Sequence, residues 1–230
     1  MTEITLLDGI RRIFDYRGEE CPEICLTEGE YYSSVLVDGV NVPVFSYRTA
    51  QKLEGMKLGE LLGRPCALTS TSVGHDTLRQ ILFRELDAAE FLLESRVEHI
   101  TAYVCDSSAN VIAGMENGSK AHMQLHSSPY GERQFHHELF TDSGTVSDRA
   151  VDSVIAQHAL NVYTQDGHES YTDSDILLYG LSECQQELAY GIYDAFHLDR
   201  DELVSRAERL SGAVKAALES GRTCYSGEDF

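Results

Sequence analysis

The sequence predicts an α+β fold with an open, mostly antiparallel β-sheet and helices packed on one face of that sheet. Three observations support this prediction. Residues 77–95 repeat apolar side chains at the three-to-four spacing of a helix with one buried face. Strand-like segments follow at residues 97–104, 110–116, 119–126 and 133–140. Two of these segments are joined by Asn117-Gly118, a strong hairpin signal because both residue types tolerate positive φ.

Residues 1–75 predict an N-terminal elaboration that precedes a main domain over residues 76–230. Residues 31–47 predict a β-hairpin around Asp38-Gly39, and Pro43 places its second arm at a sheet edge. Residues 49–65 resemble a helix interrupted by three glycines, and residues 66–72 predict a strand. Residues 6–16 fit either a short strand with a turn or an irregular helix.

The long helix at 77–95 begins at Asp76 or Thr77, because both residue types are good N-caps.

Two further helical segments are predicted near the C-terminus. Residues 174–196 carry apolar side chains on one helical face. The last helix begins after Asp199, which has capping-box spacing to Glu202, and Gly221 is the residue type that ends a helix.

Composition excludes several classes of protein. The 230 residues carry a formal net charge of −20 and only four lysines, so a nucleic-acid partner is excluded because phosphate contacts need clustered cations. No apolar run is long enough to cross a bilayer, and residues 1–9 do not resemble a signal peptide. We therefore expect an acidic cytoplasmic protein.

Polar side chains alternate along two of the predicted strands, so each set points to one face of the sheet. One set is His122, Gln124 and His126, and the other is Gln134, His136 and Glu138. If the strands align, these residues predict a histidine-rich patch with one carboxylate, suited to metal binding or proton transfer. The alternative is a solvated or subunit-facing side of the sheet. His137 has the opposite parity, which predicts that it faces the core as a hydrogen-bonded histidine.

The middle and end of the chain resemble the C-terminal domain of the Gfo/Idh/MocA oxidoreductases, the family of glucose–fructose oxidoreductase and inositol dehydrogenase. The similar segments are LDAAEFLLESRVEHITAYV, VIAGMENGSKAHMQLHSS, HHELFTDSGTVSD and AVKAALESGRTCYS, which together extend over about residues 82–226. Their order and spacing carry the resemblance. It implies a substrate-binding and oligomerisation domain with an open sheet.

Two departures from the family pattern alter what the resemblance implies. The family places a Rossmann domain with a glycine-rich dinucleotide motif before this domain, and residues 1–75 contain no GxGxxG. We therefore predict no cofactor in this chain, and NAD(P) only where a partner chain supplies it. The family motif Gly-x-His-x-x-Asp corresponds to Leu82, Arg84 and Asp87, so a permanently protonated arginine replaces the proton-transfer histidine.

Three functions follow as hypotheses. The first is a scaffold or sugar- or polyol-binding subunit that is not a dehydrogenase and self-associates through the open sheet face. The second is the substrate subunit of a split NAD(P)-dependent oxidoreductase, with a separate Rossmann chain as partner. The third is a cofactor-independent lyase or isomerase. The catalytic candidates are His122, His126, His136 and Glu138, and the substrate-binding candidates implied by the resemblance are Arg84, Asp87, Tyr130 and Arg133. No metal ligands are assigned.

Overall fold

The computed structural model describes residues 5–45, 63–130, 134–148, 159–172, 178, 180–220 and 224–225. In chain order its elements are α1 (Leu6–Arg17), β1 (Leu26–Glu28), β2 (Ser33–Val37), β3 (Val40–Pro43), β4 (Pro65–Gly74), α2 (Leu78–Leu92), β5 (Val97–Cys105), β6 (Ser108–Met115), β7 (Lys120–Ser127), β8 (Gln134–Thr141), β9 (Gly144–Ser147), β10 (Ala159–Thr164), β11 (Gly167–Thr172), α3 (Glu183–His197), α4 (Arg200–Ser220) and β12 (Cys224–Tyr225).

The chain forms two compact units, and each is described by itself. The smaller unit comprises residues 1–48 and 174–209, and the larger comprises residues 49–173 and 210–230. The boundary predicted after residue 75 differs from this division. The reason is that β4, which we had assigned to the N-terminal elaboration, pairs with β7 and β8 inside the sheet of the larger unit.

In the smaller unit, residues 6–17 form a regular helix rather than a strand or an irregular helix. The side chain of Thr5 accepts a hydrogen bond from the Asp8 N–H, and the Asp8 carboxylate bonds back to Thr5, which completes a capping box. Gly18 ends the helix with a φ of 76°, a left-handed conformation that glycine adopts without a Cβ clash. Helix α3 packs against α1 and β2.

The hairpin predicted in the smaller unit is present as β2 and β3. Asp38 and Gly39 both have positive φ, 50° and 84°, as a type I′ turn requires. The sheet order is β1-β2-β3, so Pro43 lies on an edge strand, as predicted. The glycine-interrupted helix predicted over 49–65 lies mostly outside the described residues.

The larger unit contains a nine-stranded sheet with the order β11-β10-β9-β8-β4-β7-β6-β5-β12. Among the described strands, the central pair, β4 and β7, is parallel, and the other pairs are antiparallel. Helix α2 packs against β4, β6 and β7. Its N-cap is Thr77, and Gln80 completes the capping box. The predicted α+β fold, with a mostly antiparallel sheet, is confirmed.

Alternation along the central strands gives this sheet two different faces. The helix-covered face is made of buried, mostly apolar side chains, such as Met123 and Leu139. The open face carries the residues between them on the five strands β5, β6, β7, β4 and β8. Its members are His99, Thr101, Tyr103, Cys105, Ser108, Asn110, Ile112, Gly114, Lys120, His122, Gln124, His126, Ala67, Thr69, Thr71, Val73, Gln134, His136, Glu138 and Phe140.

The predicted hairpin between β6 and β7 is also present. The Gly118 N–H donates to the Met115 carbonyl at 2.9 Å. Gly118 has a φ of 86°, whereas Asn117 keeps a negative φ. The Asn117 side-chain oxygen instead accepts the Ser119 N–H at 2.9 Å, so the asparagine contributes a hydrogen bond rather than a left-handed backbone.

Candidate functional site: a buried imidazole between two carboxylates

Three ionisable side chains meet beneath α2, on the helix-covered face of the larger sheet. His137 Nε2 lies 2.9 Å from Glu85 Oε2, and His137 Nδ1 lies 3.2 Å from Asp148 Oδ2. Because both acceptors are carboxylates, both ring nitrogens carry protons and the ring is an imidazolium. The Ser72 hydroxyl donates to the other Glu85 oxygen at 2.7 Å.

Local sequence explains how each group reaches this position. Glu85 falls on the apolar stripe of α2, between Leu82 and Ala89, and is fully buried there. His137 has inward parity on β8 and is 8% exposed, so the predicted core-facing, hydrogen-bonded histidine is found. Asp148 follows β9, and its carboxylate also accepts the His137 backbone N–H at 2.7 Å.

The surroundings fix the charges of this cluster. Burial opposes ionisation of Glu85, but the charge and hydrogen bond of His137, with Arg84 and Ser72 nearby, lower the pKa of Glu85 to about 2. Burial also opposes protonation of His137, but Glu85 and Asp148 outweigh it and raise the pKa of the imidazole well above its usual value. At neutral pH the cluster is therefore an imidazolium held between two carboxylates.

Arg84, which the family resemblance aligns with a histidine, lies beside this cluster. Its guanidinium lies 3.4 Å from the centroid of the Phe135 ring, a cation–π contact. Its nitrogens are 3.7 Å from Glu85 and 3.8 Å from Asp76, which are charge contacts too long to be hydrogen bonds. Arg84 thus shields the carboxylate of Glu85 with a charge that cannot be lost near neutral pH.

The other substrate-binding candidates are dispersed. Asp87 is 1% exposed within α2, so it is a core residue and does not cap the helix. Tyr130 is 84% exposed, and its backbone carbonyl accepts the Ser128 hydroxyl at 2.8 Å. Arg133 lies outside the described residues. The structure does not bring Arg84, Asp87 and Tyr130 to a common surface.

The two polar sets on the open face do share that face, but β4 separates them. In the register, Thr71 lies between Gln124 and His136, and Thr69 lies between His122 and Glu138. His122 instead donates to Asn110 at 2.7 Å, and His126 is joined to Ser108 by a hydrogen bond of 2.8 Å. Both histidines therefore bond toward β6, away from His136 and Glu138. The two polar sets thus share one face, but they are not direct neighbours, and a functional role for them stays a prediction.

Sequence reasoning missed the partners of His137. Asp148 was not among the residues singled out from the sequence, yet its carboxylate bonds both the backbone and the ring of His137. One available signal was Glu85 itself, because a carboxylate within the apolar stripe of a helix needs a buried partner. In the described residues, no group of three or more His, Cys, Asp or Glu side chains is arranged to hold a metal ion.

The cluster is poorly suited to accept a proton from a substrate. A general base must be unprotonated near its working pH and within hydrogen-bond reach of the substrate. His137 is protonated on both ring nitrogens, and the carboxylates of Glu85 and Asp148 each accept a hydrogen bond from it. Arg84 is also protonated. The cluster of His137, Glu85 and Asp148 is therefore a set of paired ions that joins α2 to β8 and to the segment after β9.

Comparison with solved structures identifies the class of fold. The sheet and its covering helix match the C-terminal domain of Gfo/Idh/MocA-type oxidoreductases, so the resemblance predicted from the sequence is confirmed for the fold. No family model matches the chain, and no curated protein matches it. Across the described residues, no helix is both long and apolar enough to cross a membrane.

Three solved structures illustrate this similarity of fold. An oxidoreductase from Agrobacterium radiobacter, solved with NAD+, L-tartaric acid and magnesium, is 16% identical with a TM-score of 0.59, over 76% of this chain and 61% of that one. Levoglucosan dehydrogenase, solved with NADH and levoglucosan, is 11% identical with a TM-score of 0.58, over 78% and 63%. An NAD binding oxidoreductase from Klebsiella pneumoniae is 16% identical with a TM-score of 0.58, over 80% and 64%. This chain therefore spans about six tenths of the length of the structures it matches.

Proposed function

We propose that this chain is an assembly subunit with an oxidoreductase-type fold, that it is not itself a dehydrogenase, and that it pairs with a second copy through the open sheet face. One observation carries the proposal. In a chain with a net charge of −20, the described part of the open face carries few fixed charges: Glu138 and Lys120 within the face, and Glu98 at its β5 end. Interface centres are likewise depleted in charge and enriched in aromatic and apolar side chains.

The apolar side chains on this face support the same role. Tyr103 is 67% exposed, Ile112 43% and Phe140 37%, although each belongs to a strand of the sheet. Exposed apolar area that recurs across a broad face marks interaction surfaces more often than solvated ones. A second copy suits the face, because two nearly neutral surfaces avoid the repulsion that other parts of two acidic chains would experience.

The side chains on the helix-covered face are the reason that we expect no dehydrogenase activity from this chain alone. Arg84 stands at the position of the family's proton-transfer histidine, and the nearby imidazole of His137 is held protonated between Glu85 and Asp148. No side chain of this cluster is therefore a free base for removing a hydroxyl proton during hydride transfer. We expect the purified chain not to oxidise sugars or polyols with NAD(P)+ alone.

The test is the oligomeric state in solution. Sedimentation velocity should show a dimer for the unaltered chain and a monomer for Ile112→Asp, because the variant replaces an exposed apolar side chain between Thr101 and His122 on the open face with a charge. Leu36→Asp is the matched control: Leu36 is 42% exposed on a strand of the smaller unit, and its replacement should leave the dimer intact. A monomeric unaltered chain, or equal effects of the two substitutions, would refute pairing through this face.

A second function is favoured because this chain matches only part of each solved structure. Those structures include complexes with NAD+ and NADH, and this chain spans about six tenths of their length. A split oxidoreductase, in which a separate chain supplies NAD(P), fits that observation. Purification from the native source followed by mass spectrometry distinguishes the two: a stoichiometric dinucleotide-binding partner supports the split enzyme, and a second copy alone supports the assembly subunit.

A further inference from the structure

Four of the nine histidines lie on the open face of the larger sheet: His99, His122, His126 and His136. Histidine is the side chain whose charge ordinarily changes between pH 5 and pH 8. A face with few fixed charges therefore holds several side chains that acquire a positive charge when the pH falls. The neighbours of each ring determine whether that charge is offset.

His122 lies on β7 with uncharged neighbours on both sides. Across the strands it faces Ile112 on β6 and Thr69 on β4. The fixed charges next to these positions are Lys120, two residues along β7, and Glu138, on β8 beyond Thr69. These two charges have opposite signs. Within the described residues, a protonated His122 therefore has no carboxylate directly beside it in the strand register.

His126 lies near the end of the same strand. Across the strands it faces Ser108 on β6 and Val73 on β4. The titratable groups beyond Ser108 are on β5: the thiol of Cys105 in the same row, and the phenol of Tyr103 two residues along. Thiols and phenols ordinarily titrate above pH 8, so these residue types are neutral in the range in which histidine changes its charge. Among the described positions in these rows, none offers His126 a negative charge.

One nitrogen of each ring is already bonded to an uncharged group. His122 Nε2 donates to the Asn110 side-chain oxygen at 2.7 Å, and His126 Nδ1 lies 2.8 Å from the Ser108 hydroxyl oxygen. An amide oxygen and a hydroxyl oxygen can both accept a hydrogen bond, so both contacts persist when the ring becomes an imidazolium. The free copy can therefore take up these protons without losing a hydrogen bond.

The other two histidines of the face have carboxylates close by. His136 Nδ1 lies 3.9 Å from Asp148 Oδ1, and His99 Nδ1 lies 3.7 Å from Glu98 Oε2. An opposite charge at such a distance favours the protonated ring and offsets its charge. His122 and His126 are therefore the rings at which protonation leaves an unbalanced charge on the face.

Pairing of two copies makes that unbalanced charge costly. A charge that is covered without a partner loses its hydration, and the second copy brings the same positive charges to the same interface. The free copy therefore binds protons at these rings more readily than the paired copy does. By linkage, the pair must weaken as the pH falls through the range in which the rings of the free copy become protonated.

We propose that protonation of His122 and His126 separates two paired copies, so that pairing through the open face is controlled by pH. This inference rests on the proposed function, since it assigns a control to that same interface. A histidine of ordinary pKa, about 6.5, that is protonated only in the free copy raises the dissociation constant of the pair about tenfold between pH 7.5 and pH 5.5. One such ring in each copy gives a factor of about 100, and two in each copy give a factor of about 10,000.

Sedimentation equilibrium at the two pH values tests this control. The dissociation constant of the unaltered chain should be at least about 100-fold larger at pH 5.5 than at pH 7.5. Both values lie above pH 4.5, where the stabilisation by the Glu85 carboxylate is complete. Circular dichroism at pH 5.5 verifies that the chain is folded, so that dissociation is measured rather than unfolding.

Substitution assigns the effect to the two rings. Glutamine forms hydrogen bonds but does not take up a proton in this range, so the double variant His122→Gln/His126→Gln should show a ratio of the two dissociation constants below about tenfold. His197→Gln, in the smaller unit, should keep the full ratio. Each ratio compares one variant with itself, so a change of affinity common to both pH values cancels. If the double variant does not fold or pair, the two single variants provide the ratio, and an unchanged ratio overturns the proposal.

The outcomes separate this proposal from the pairing on which it rests. A dimer that is equally strong at both pH values overturns the pH control and leaves pairing through the open face intact. A dimer that is stronger at pH 5.5 overturns the assigned sign, and with it the proposal. A monomer at pH 7.5 refutes the pairing itself and the pH control together.

Discussion

The two units each contain a histidine held by a glutamate, and the contrast between the pairs shows how burial changes the value of one contact. In the larger unit, His137 Nε2 lies 2.9 Å from Glu85, whose side chain is 1% exposed. In the smaller unit, His197 Nε2 lies 2.7 Å from Glu19, and the two side chains are 35% and 39% exposed. The distances are similar, but water screens only the second pair.

The second ring nitrogen of each histidine is also occupied, by a different kind of acceptor. His137 Nδ1 faces the carboxylate of Asp148, whereas His197 Nδ1 faces the backbone carbonyl of Tyr193. Tyr193 also stacks on the His197 ring, with centroids 4.0 Å apart, and its hydroxyl donates to Glu19. The buried histidine is thus fixed by charge, and the exposed histidine by stacking and a helix C-terminus.

The largest expected effect is the removal of Glu85. Glu85→Ala leaves the His137 imidazolium with one carboxylate in a buried site, and breaking a buried ion pair in this way costs about 3–5 kcal/mol of unfolding free energy. Urea unfolding followed by circular dichroism measures the loss. Glu138→Ala, on the open face, should change stability by less than about 0.5 kcal/mol. If Glu85→Ala does not fold, Glu85→Gln provides the measurement, and a loss no larger than that of Glu138→Ala contradicts the assigned role.

The fold could be predicted from the sequence because its signals are local. The cap at Thr77, the turns at Asp38-Gly39 and Asn117-Gly118, and the inward parity of His137 each depend on a few neighbouring residues. These signals gave the α+β class and the alternation of the strands. Each was readable because hydrogen bonding and side-chain direction repeat with fixed periods.

The site could not be predicted to the same extent, because it depends on distant pairing. Strand β4 inserts between β7 and β8, although it precedes both in the chain, and this insertion separates His122 from Glu138. The contact between Glu85 and His137 joins residues 52 positions apart. Periodicity predicts which face a side chain takes, but it does not predict which strands are neighbours.

Acid should affect the buried pair next most strongly. The pKa of Glu85 is lowered from 4.5 to about 2 in the folded chain, so its stabilisation is complete above pH 4.5 and is lost as the pH falls from 4.5 towards 2. The shift corresponds to a contribution on the order of 3 kcal/mol. Comparing urea unfolding of the unaltered chain and Glu85→Gln across this range measures it. The difference between them should shrink at low pH, and a constant difference would show that Glu85 is not ionised in the folded chain.

Alkaline pH should affect the exposed pair, with a smaller effect. Burial opposes protonation of His197, but the Tyr193 carbonyl and Glu19 raise the pKa of the imidazole. Its stabilisation is therefore present below pH 6.5 and is lost as the pH rises through the raised value. Because the pair is more than one third exposed, we expect less than about 1 kcal/mol. The stability difference between the unaltered chain and His197→Gln should decrease between pH 6 and pH 8.5. An increase over that range would reverse the assigned sign.

Salt should give the smallest effect, and it should distinguish the buried pair from the exposed pair most directly. Mobile ions screen exposed charges within about 3 Å at 1 M salt, but they do not enter a buried site. Raising sodium chloride from 0.05 M to 1 M should therefore reduce the coupling energy of Glu19 and His197 by a few tenths of a kcal/mol, while that of Glu85 and His137 changes little. A double-mutant cycle for each pair, with glutamine in place of both residues, isolates the coupling from the general effect of salt on stability. Equal salt dependence of the two coupling energies would mean that mobile ions reach Glu85. Burial could then no longer explain a difference in strength between the Glu85–His137 contact and the Glu19–His197 contact.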